Sequence, residues 1–220
     1  MSHDDLIPPN VGQRDAEFLR RAYALATQTE GAELYREWAA TYDTTMVDGL
    51  GYVSPRLLTD LFARHVPWRN QRVIDLGCGT GLVGSELVRH GFGSFDGLDL
   101  STDMMGEAER RNIYQEFVVA DLTKPLPIAD ATYGAAICNG TFTSGHVDAT
   151  CLSEVVRIIE PGGYLVCAVH HAVWNTLGFA HGFERLVDMG ELVELAVIES
   201  AYYKSSTATD GRLCAFRKPG

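Results

Sequence analysis

The chain has 220 residues and a formal net charge of −11 at pH 7, from 29 acidic and 18 basic residues. This length suits one α/β domain with a short extension. The acidic balance argues against nucleic acid as the main partner, because phosphate binding needs a basic surface, and no apolar run is long enough to span a bilayer. Five cysteines without a C-x-x-C pair predict reduced, buried thiols in a cytoplasmic protein.

The N-terminal part of the sequence predicts a helical cap ahead of the main domain. Residues 1–12 are polar and predict a flexible terminus. Residues 13–68 form the predicted cap, and residues 69–220 form the predicted core. Ser54 is the expected N-cap of the last cap helix, with a proline directly behind it. The helical patterns of the cap occupy Arg14–Thr27, Gly31–Thr44 and Ser54–His65.

Three aromatic residues of the second helical pattern are predicted to share one face. Tyr35, Trp38 and Tyr42 stand at positions i, i+3 and i+7, which places their rings on the same side of a helix. They either pack the helix onto the core, which we favour for Trp38, or reach a ligand. Tyr52, just before the third helix, could face a substrate or pack on the surface.

The most informative segment is Val73–Gly84, which reads V-I-D-L-G-C-G-T-G-L-V-G. A β-branched and apolar run ends in Asp75, and a glycine-rich turn then leads into a helical pattern. This order is typical of the first strand, loop and helix of a doubly wound α/β domain, with a nucleoside-type ligand over the loop. The glycines allow the backbone to approach that ligand closely.

The same segment formally matches G-x-G-x-x-G, the pattern of dinucleotide-binding proteins. We expect Asp75 at the mouth of the loop, where its carboxylate would repel a pyrophosphate, and the loop contains no Lys or Arg to compensate. S-adenosylmethionine has no phosphate and carries a sulfonium and an ammonium group. An acidic group at this position therefore favours the methyl donor over a dinucleotide.

Two further predicted strands also end in an acid. The second, Phe95–Asp99, places a carboxylate where it can accept hydrogen bonds from both hydroxyls of a ribose. The third begins at Phe117 and leads into Ala120-Asp121-Leu122. Ser101 is the expected N-cap of the helix between them. The other predicted elements are strands at Tyr133–Asn139, Tyr164–Val169, Leu192–Tyr203 and Arg212–Lys218, and helices at Leu82–His90 and Ala149–Ile159.

The D-L-G-C-G-T-G order, the A-D-L motif and the P-G-G turn at 161–163 resemble those of class I S-adenosylmethionine-dependent methyltransferases, over about residues 70–170. The aromatic pattern that ends in Tyr42-Asp43 resembles most closely the Williams–Beuren-region methyltransferase-like proteins. The resemblance implies a doubly wound, seven-stranded, mostly parallel sheet with an antiparallel last strand, the Rossmann-like methyltransferase fold. It also implies S-adenosylmethionine as the cofactor and S-adenosylhomocysteine as its product.

The resemblance also assigns roles in binding the donor. Asp99 would bind the ribose, Asp121 the adenine amino group, and the amide of Leu122 the adenine ring. Met104 would pack on the adenine, with ordinary core packing as an equal alternative. A cap tyrosine would reach the methionine end of the donor, with Tyr42 as the first choice. The full predicted cofactor-binding set is Tyr35, Tyr42, Asp75, Gly77, Cys78, Gly79, Gly81, Asp99, Leu100, Met104, Asp121, Leu122 and Asn139.

The methyl acceptor is expected over the carboxyl ends of the fourth and fifth strands. Enzymes that methylate exocyclic amines or glutamine amides carry two prolines where this chain has Gly140 and Thr141, which disfavours that chemistry. An imidazole can act as a base near pH 7, and neighbouring strand residues point to opposite faces, so the two adjacent histidines should not share a metal. We expect no metal site. The candidate bases are His146, His170 and His171, and the candidate substrate contacts are Tyr52, Phe142 and Trp174.

The sequence therefore predicts direct displacement at a sulfonium methyl by an O, N or S nucleophile of a small molecule. A protein methyltransferase is the main alternative, and it would show an open acidic groove in place of an enclosed pocket. A dinucleotide-binding oxidoreductase and a catalytically silent nucleotide-binding module are the remaining alternatives.

Overall fold

The computed structural model describes residues 12–25, 28–206 and 209–220, so the predicted flexible terminus, apart from Gly12, lies outside the described residues. The strands are β1 (Val73–Leu76), β2 (Phe95–Asp99), β3 (Phe117–Val119), β4 (Tyr133–Phe142), β5 (Ile159–His170), β6 (Val193–Ser200) and β7 (Gly211–Arg217). They form one seven-stranded sheet in the order β3-β2-β1-β4-β5-β7-β6. β1 to β5 pair in parallel, and β7 lies antiparallel between β5 and β6. The predicted fold is confirmed.

Helices cover both faces of this sheet. They are α1 (Gln13–Tyr23), α2 (Gln28–Trp38), α3 (Ser54–His65), α4 (Leu82–Arg89), α5 (Thr102–Arg110), α6 (Leu152–Ile158), α7 (His171–Trp174) and α8 (Phe179–Asp188). Side chains alternate along the central strands and feed two apolar cores. Ala135 and Ile137 point to the core under α1 to α4, whereas Ala136 and Cys138 point to the core under α6 and α8.

The second cap helix is shorter than predicted. α2 ends at Trp38, and a 3-10 turn (Ala39–Thr41) and a π-helical turn (Thr44–Gly49) follow it. The three aromatic rings nevertheless lie together, with centroids 6.2 Å apart for Tyr35 and Trp38 and 4.8 Å apart for Trp38 and Tyr42. Trp38 is 1% exposed and belongs to the core, as we favoured.

One predicted helix cap is wrong and another is confirmed. Ser54 makes no cap hydrogen bond, because its buried hydroxyl donates to Asn139 Oδ1 at 2.7 Å instead. Ser101 does cap α5, since its hydroxyl accepts from the amide of Met104 at 3.3 Å. Ser54 is itself the first residue of α3, and its hydroxyl is engaged by a side chain of β4.

The prediction that His170 and His171 point to opposite faces is wrong. β5 ends at His170, and His171 is already the first residue of α7, so the strand alternation does not apply to the pair. Their rings stack with centroids 4.6 Å apart. Within the described residues, no three His, Cys, Asp or Glu side chains are grouped closely enough to hold a metal ion.

All five cysteines are buried and none forms a disulfide. A search of the described residues finds no helix with the length and apolar character needed to cross a bilayer.

Candidate functional site

A cleft of about 860 Å³ opens at the carboxyl ends of β1 to β4, and we call it the main cleft. The chain runs outward from β1 to β2 and β3, then returns to β4 on the other side of β1. Ligands of open α/β sheets bind at this reversal. Tyr35 and Tyr42 of the cap close one side of the cleft.

The glycine-rich loop after β1 forms the floor of the main cleft. Gly77 and Gly79 line the cleft and have φ angles of 70° and 51°, which side chains rarely adopt. A Cβ at Gly77 would also lie 1.9 Å from Thr141 Oγ1, so only glycine fits there. The loop is held to the neighbouring strand, because the Gly77 amide donates to the Leu98 carbonyl at 2.7 Å.

Asp99 at the end of β2 is oriented by the backbone around it. Its Oδ2 accepts from the Gly79 amide and its Oδ1 from the Ser101 amide, each at 2.8 Å. Burial raises the pKa of Asp99, while these amide hydrogen bonds oppose the rise. The carboxylate lines the cleft and is rigidly presented to a ligand.

Asp121 after β3 brings a second carboxylate to the main cleft. Although burial acts to raise its pKa, hydrogen bonds from Thr123 and Lys124 lower it overall. None of the described residues that line this cleft is Lys or Arg. The cleft therefore suits a ligand with positive charge, whereas a pyrophosphate would be repelled.

A polar network, which we call the cap latch (Asp43, Thr80 and Arg111), ties the cap to the glycine-rich loop. Asp43 accepts from the Thr80 hydroxyl at 2.5 Å and forms an ion pair with Arg111. Arg111 also donates to the Thr80 carbonyl at 2.6 Å and to Ser85 Oγ at 2.9 Å. Because Thr80 lies inside the loop, the position of the cap is coupled to the loop that forms the floor of the cleft.

A second cavity of about 470 Å³ adjoins the main cleft, and we call it the aromatic chamber. The two share Tyr35, Tyr42, Gly140 and His146. The chamber lies between the cap and the segment that joins β6 to β7. The other residues that line it are Leu19, Ala22, Trp38, Met46, Tyr52, Thr143, His170, Tyr202 and Tyr203.

Residues 74–167 match the profile of a protein family described as Methyltransferase domain. Human Methyltransferase-like protein 27 is 30% identical over 173 residues, which cover 77% of this chain and 69% of the relative. The chain belongs to the class I S-adenosylmethionine-dependent methyltransferases. Its cofactor is S-adenosylmethionine.

Further relatives and solved structures also resemble this methyltransferase. The Demethylmenaquinone methyltransferase of Beutenbergia cavernae is 36% identical over 98 residues. The alignment covers 44% of this chain and 40% of that relative. The [4+2]-cyclase SpnF has a TM-score of 0.67 at 17% identity, with 89% of this chain and 97% of that chain covered. A chain from the complex of the Haloferax volcanii Trm112 methyltransferase activator with a putative methyltransferase has a TM-score of 0.64 at 21% identity. The match covers 84% of this chain and 98% of that chain.

The main cleft fits S-adenosylmethionine. It is lined by two carboxylates, Asp99 and Asp121, and none of its described lining residues is Lys or Arg. This lining suits a ligand with a sulfonium and an ammonium group. Met104 is 4% exposed and lines the cleft together with Leu100 and Leu122, so an apolar surface is available for an adenine. Most of the predicted cofactor-binding set lines this cleft, namely Tyr35, Tyr42, Gly77, Gly79, Asp99, Leu100, Met104, Asp121, Leu122 and Asn139.

Asp75 is not at the mouth of the loop, and that prediction is wrong. It is fully buried beneath the loop, because β1 continues to Leu76 and the side chain turns into the protein. Tyr114 donates to its Oδ2 at 2.7 Å, and burial raises the pKa of Asp75 to about 7. The charge that excludes pyrophosphate comes from Asp99 and Asp121 instead.

Cys78 and Gly81 are the other two predicted cofactor-binding residues that do not line the main cleft. Cys78 is 5% exposed and turns toward β2, where a Cβ at Gly97 would meet its sulfur at 2.8 Å. Gly81 has a φ of 86° at the start of α4, and a Cβ there would lie 2.9 Å from Arg111. Cys78 and Gly81 therefore contribute to the packing of the loop.

His146 stands at the junction of the two cavities. Its Nδ1 lies 2.8 Å from the Ser144 carbonyl, which can only accept, so Nδ1 carries the proton. Its Nε2 is therefore unprotonated and accepts a hydrogen bond from the Tyr35 hydroxyl at 2.9 Å. Burial lowers the pKa of His146, which keeps the imidazole neutral. The Tyr35 hydroxyl thus faces a base.

Asn139 is fixed by the two residues that flank the start of α3. Its Oδ1 accepts from Ser54 Oγ at 2.7 Å, and its Nδ2 donates to Tyr52 Oη at 2.9 Å. Asn139 lines the main cleft and Tyr52 lines the aromatic chamber. This chain of hydrogen bonds holds the end of β4 against the cap.

Three predicted acceptor-side residues lie away from both cavities. Phe142 is 1% exposed, because β4 runs on through it and turns its ring into the core against Phe179 at 4.8 Å. Trp174 packs on Phe183, with the Arg212 guanidinium 4.8 Å from its ring. His171 donates from Nδ1 to the Asp210 carbonyl at 2.8 Å, and only its neighbour His170 lines the chamber.

Sequence reasoning missed several residues that shape the two cavities. Tyr202 and Tyr203 stand in the predicted terminal hairpin, but nothing in their spacing links them to the cap 150 residues earlier. The role of Arg111 was also missed. Asp43 belongs to the aromatic motif in the sequence, but nothing in its spacing indicates Arg111, 68 residues later, as its partner.

Proposed function

We propose that this protein transfers a methyl group from S-adenosylmethionine to an O, N or S nucleophile of a small molecule by direct displacement. The aromatic chamber carries this proposal. It adjoins the main cleft directly, it lies against the cap, and its mostly aromatic and apolar lining suits a small organic molecule.

The donor would lie along the main cleft. Asp99 would accept hydrogen bonds from the ribose hydroxyls, since both of its oxygens are oriented by amides and it lines the cleft. Asp121 and the amide of Leu122 would hold the adenine, which would pack against Met104. Tyr42 lines both cavities, which supports a position beside the reacting centre.

When bound, S-adenosylmethionine supplies an activated methyl group with a neutral thioether as its leaving group. The protein then has to hold the nucleophile in line with the carbon–sulfur bond and to exclude water. Positioning of this kind can lower a barrier by roughly 7–11 kcal/mol. The cap latch and the Ser54–Asn139–Tyr52 hydrogen bonds support this role, because they fix the cap over the junction of the two cavities.

The other functional classes have less support. A protein methyltransferase would present an open acidic groove, whereas the chamber is lined by aromatic side chains under the cap. A dinucleotide oxidoreductase would have to place a pyrophosphate beside Asp99 and Asp121. All five cysteines are unpaired thiols, which supports a reducing, cytoplasmic location.

Calorimetric titration of the purified protein with S-adenosylmethionine, S-adenosylhomocysteine and NAD(H) tests the proposal first. We expect binding of the two adenosyl ligands at about micromolar Kd and none of NAD(H). Binding of NAD(H) alone would overturn the proposal. Donor binding without methylation of any phenol, thiol, amine or acid in a screen would indicate the silent module.

The variant Asp99→Ala tests the assignment of the donor site. Removal of a charged hydrogen-bonding partner should weaken donor binding by about 1–3 kcal/mol, or roughly 5- to 150-fold in Kd. Glu109→Ala, an exposed acid on α5, is the control and should bind as the wild type does. An unchanged Kd in Asp99→Ala would mean that the ribose lies elsewhere.

A further inference from the structure

The aromatic chamber is lined by aromatic rings without formal charge. Five of its residues are tyrosines, Tyr35, Tyr42, Tyr52, Tyr202 and Tyr203, and Trp38 adds an indole. None of the described residues that line it is Asp, Glu, Lys or Arg. Among the described residues of the lining, a carboxylate or phosphate would find no Lys or Arg to pair with, and a primary ammonium would find no Asp or Glu.

Two buried polar atoms of the lining have no hydrogen-bond partner within the described part of the chain. They are the indole nitrogen of Trp38 and the hydroxyl of Thr143. Buried polar atoms are nearly always paired with protein, water or ligand, since an unpaired one costs about 1–3 kcal/mol. One is a donor only and the other can donate or accept, so a ligand oxygen could pair with either.

The chamber also contains a proton relay with a defined direction. Tyr35 donates its hydroxyl proton to Nε2 of His146 at 2.9 Å, and Nδ1 of His146 donates to the Ser144 carbonyl at 2.8 Å. If Nε2 gained a proton, the same carbonyl would still accept from Nδ1 and would stabilise the imidazolium. Asp99 lies close enough to favour that charge further.

We propose that the aromatic chamber binds an uncharged aromatic alcohol, and that Tyr35 and His146 remove its hydroxyl proton as the methyl group is transferred. This inference rests on the proposed function and specifies its acceptor class. The flat walls favour a planar ring through stacked and edge-to-face contacts. The phenol oxygen forms the bond to the methyl carbon, and the carbon–sulfur bond breaks with its electron pair remaining on sulfur. The phenol proton passes to Tyr35 Oη while Tyr35 gives its own proton to His146 Nε2.

The relay distinguishes an alcohol from other acceptors. A carboxylate acceptor is already ionised at neutral pH and needs no base. A phenol has a pKa of about 10, so the loss of its proton limits its nucleophilicity near pH 7. A neutral base that burial keeps unprotonated is suited to that step. The aromatic alcohol is thus the acceptor class that uses both the walls and the relay.

Three probes with one ring system test the acceptor class: 2-naphthol, 2-naphthoate and 2-(aminomethyl)naphthalene, which are neutral, anionic and cationic at pH 7. Each is titrated into the protein saturated with S-adenosylhomocysteine. We expect 2-naphthol to bind at least about ten-fold more tightly than the charged probes, because their charges would be desolvated without a partner. Tighter binding of a charged probe, or no binding of 2-naphthol, would overturn the proposal. Binding of S-adenosylmethionine is measured in the same preparation. If the donor binds and 2-naphthol does not, the acceptor class is wrong but the donor site stands; if neither binds, the proposed function fails as well.

The variant Tyr35→Phe tests the relay, because it keeps the ring and removes the hydroxyl. We expect kcat for O-methylation of 2-naphthol to fall about 100-fold, with little change in KM or in donor Kd. The deficit should shrink as the pH rises toward 10, where the phenol ionises without help. A deficit that is the same at every pH would indicate a structural role, and an unchanged kcat would exclude the relay. Tyr164→Phe removes a hydroxyl far from both cavities and should match the wild type.

Discussion

The main cleft and the aromatic chamber share a wall, yet the chain builds them in different ways. Much of the lining of the main cleft comes from the ends of neighbouring strands and the turns that follow them, such as Asp99, Gly77 and Gly79. The chamber is assembled from the cap, the loop after β4, the end of β5 and the segment after β6. A site at the ends of parallel strands is therefore encoded in short contiguous motifs, whereas a site between packed elements depends on how those elements meet.

The largest expected effect concerns Asp75, beneath the floor of the main cleft. Burial raises its pKa from 3.8 to about 7, with a hydrogen bond from Tyr114 acting in the opposite direction. The folded state then holds a proton that the unfolded state releases between pH 4 and 7. Stability from this group is fully present below pH 4 and is lost as the pH rises through 7, by up to about 4 kcal/mol. Urea melts measure this loss. Between pH 4 and 7 the free energy of unfolding should fall more in the wild type than in Asp75→Asn, which cannot titrate at this position.

Asp96→Asn is the matched control, because Asp96 is equally buried but pairs with Arg72 at 2.7 Å and accepts from Tyr133 at 2.9 Å. Neutralising this carboxylate removes a charged partner from Arg72, so the variant should be destabilised. Parallel urea profiles for wild type and Asp75→Asn from pH 4 to 8 would show that Asp75 is ionised in the folded state throughout.

The next effect has the opposite sign and belongs to the aromatic chamber. Burial and, to a smaller extent, the stacked His171 lower the pKa of His170 from 6.5 to about 4, while Asp210 acts to raise it. The ring of Tyr202 packs edge-on at 5.8 Å. The unfolded state gains a proton first, so stability is lost as the pH falls from 6.5 to 4, by up to about 3 kcal/mol. Thermal melts over this range measure it.

The variant His170→Asn separates this titration from packing. An asparagine oxygen can replace Nδ1, which accepts from the Ala172 amide at 3.2 Å, and it does not titrate. Its stability should therefore fall less steeply than that of the wild type between pH 6.5 and 4. His181→Asn, on the exposed side of α8, should keep the wild-type profile. If His170→Asn and the wild type lose stability in parallel, another group causes the acid loss.

These two buried groups show how far the sequence could predict the site. The strands, their order and the acids Asp99 and Asp121 follow from short patterns of apolar runs, glycines and carboxylates. The burial of Asp75 does not follow, because β1 runs one residue further than the pattern indicates and turns the carboxylate inward. The lining of the chamber could not be predicted either, since Tyr35 and Tyr203 come together only through the packing of the cap.

A smaller effect is expected at the cap latch, which joins the two regions. Asp43→Asn removes the charge that Arg111 and the Thr80 hydroxyl share. Because the ion pair is partly exposed, we expect donor binding to weaken by less than about 1 kcal/mol, or up to roughly five-fold in Kd. Hydrogen exchange should also rise in residues 39–50 of the donor-bound protein, since the cap is held less firmly.

Arg111→Gln should give a similar change, and the double variant should be no worse than either single one, because all three variants remove the same contact. Arg110→Gln provides the control, since Arg110 is the exposed neighbour of Arg111 and forms an ion pair with Glu107 within α5. Additive losses in the double variant would mean that Asp43 and Arg111 act independently on the donor site.

The smallest effects on activity are expected at Phe142 and Trp174, which the sequence indicated as substrate contacts. Phe142→Leu removes part of a buried ring and should lower the free energy of unfolding by about 1 kcal/mol. Trp174→Phe should change it by less, because Trp174 is only partly buried against Phe183 and beneath Arg212. Neither residue lines the main cleft or the aromatic chamber, so the donor Kd and the acceptor KM should match the wild type in both variants. A several-fold rise of the acceptor KM in Trp174→Phe would move the acceptor from the cap side of the sheet to the side of α7 and α8.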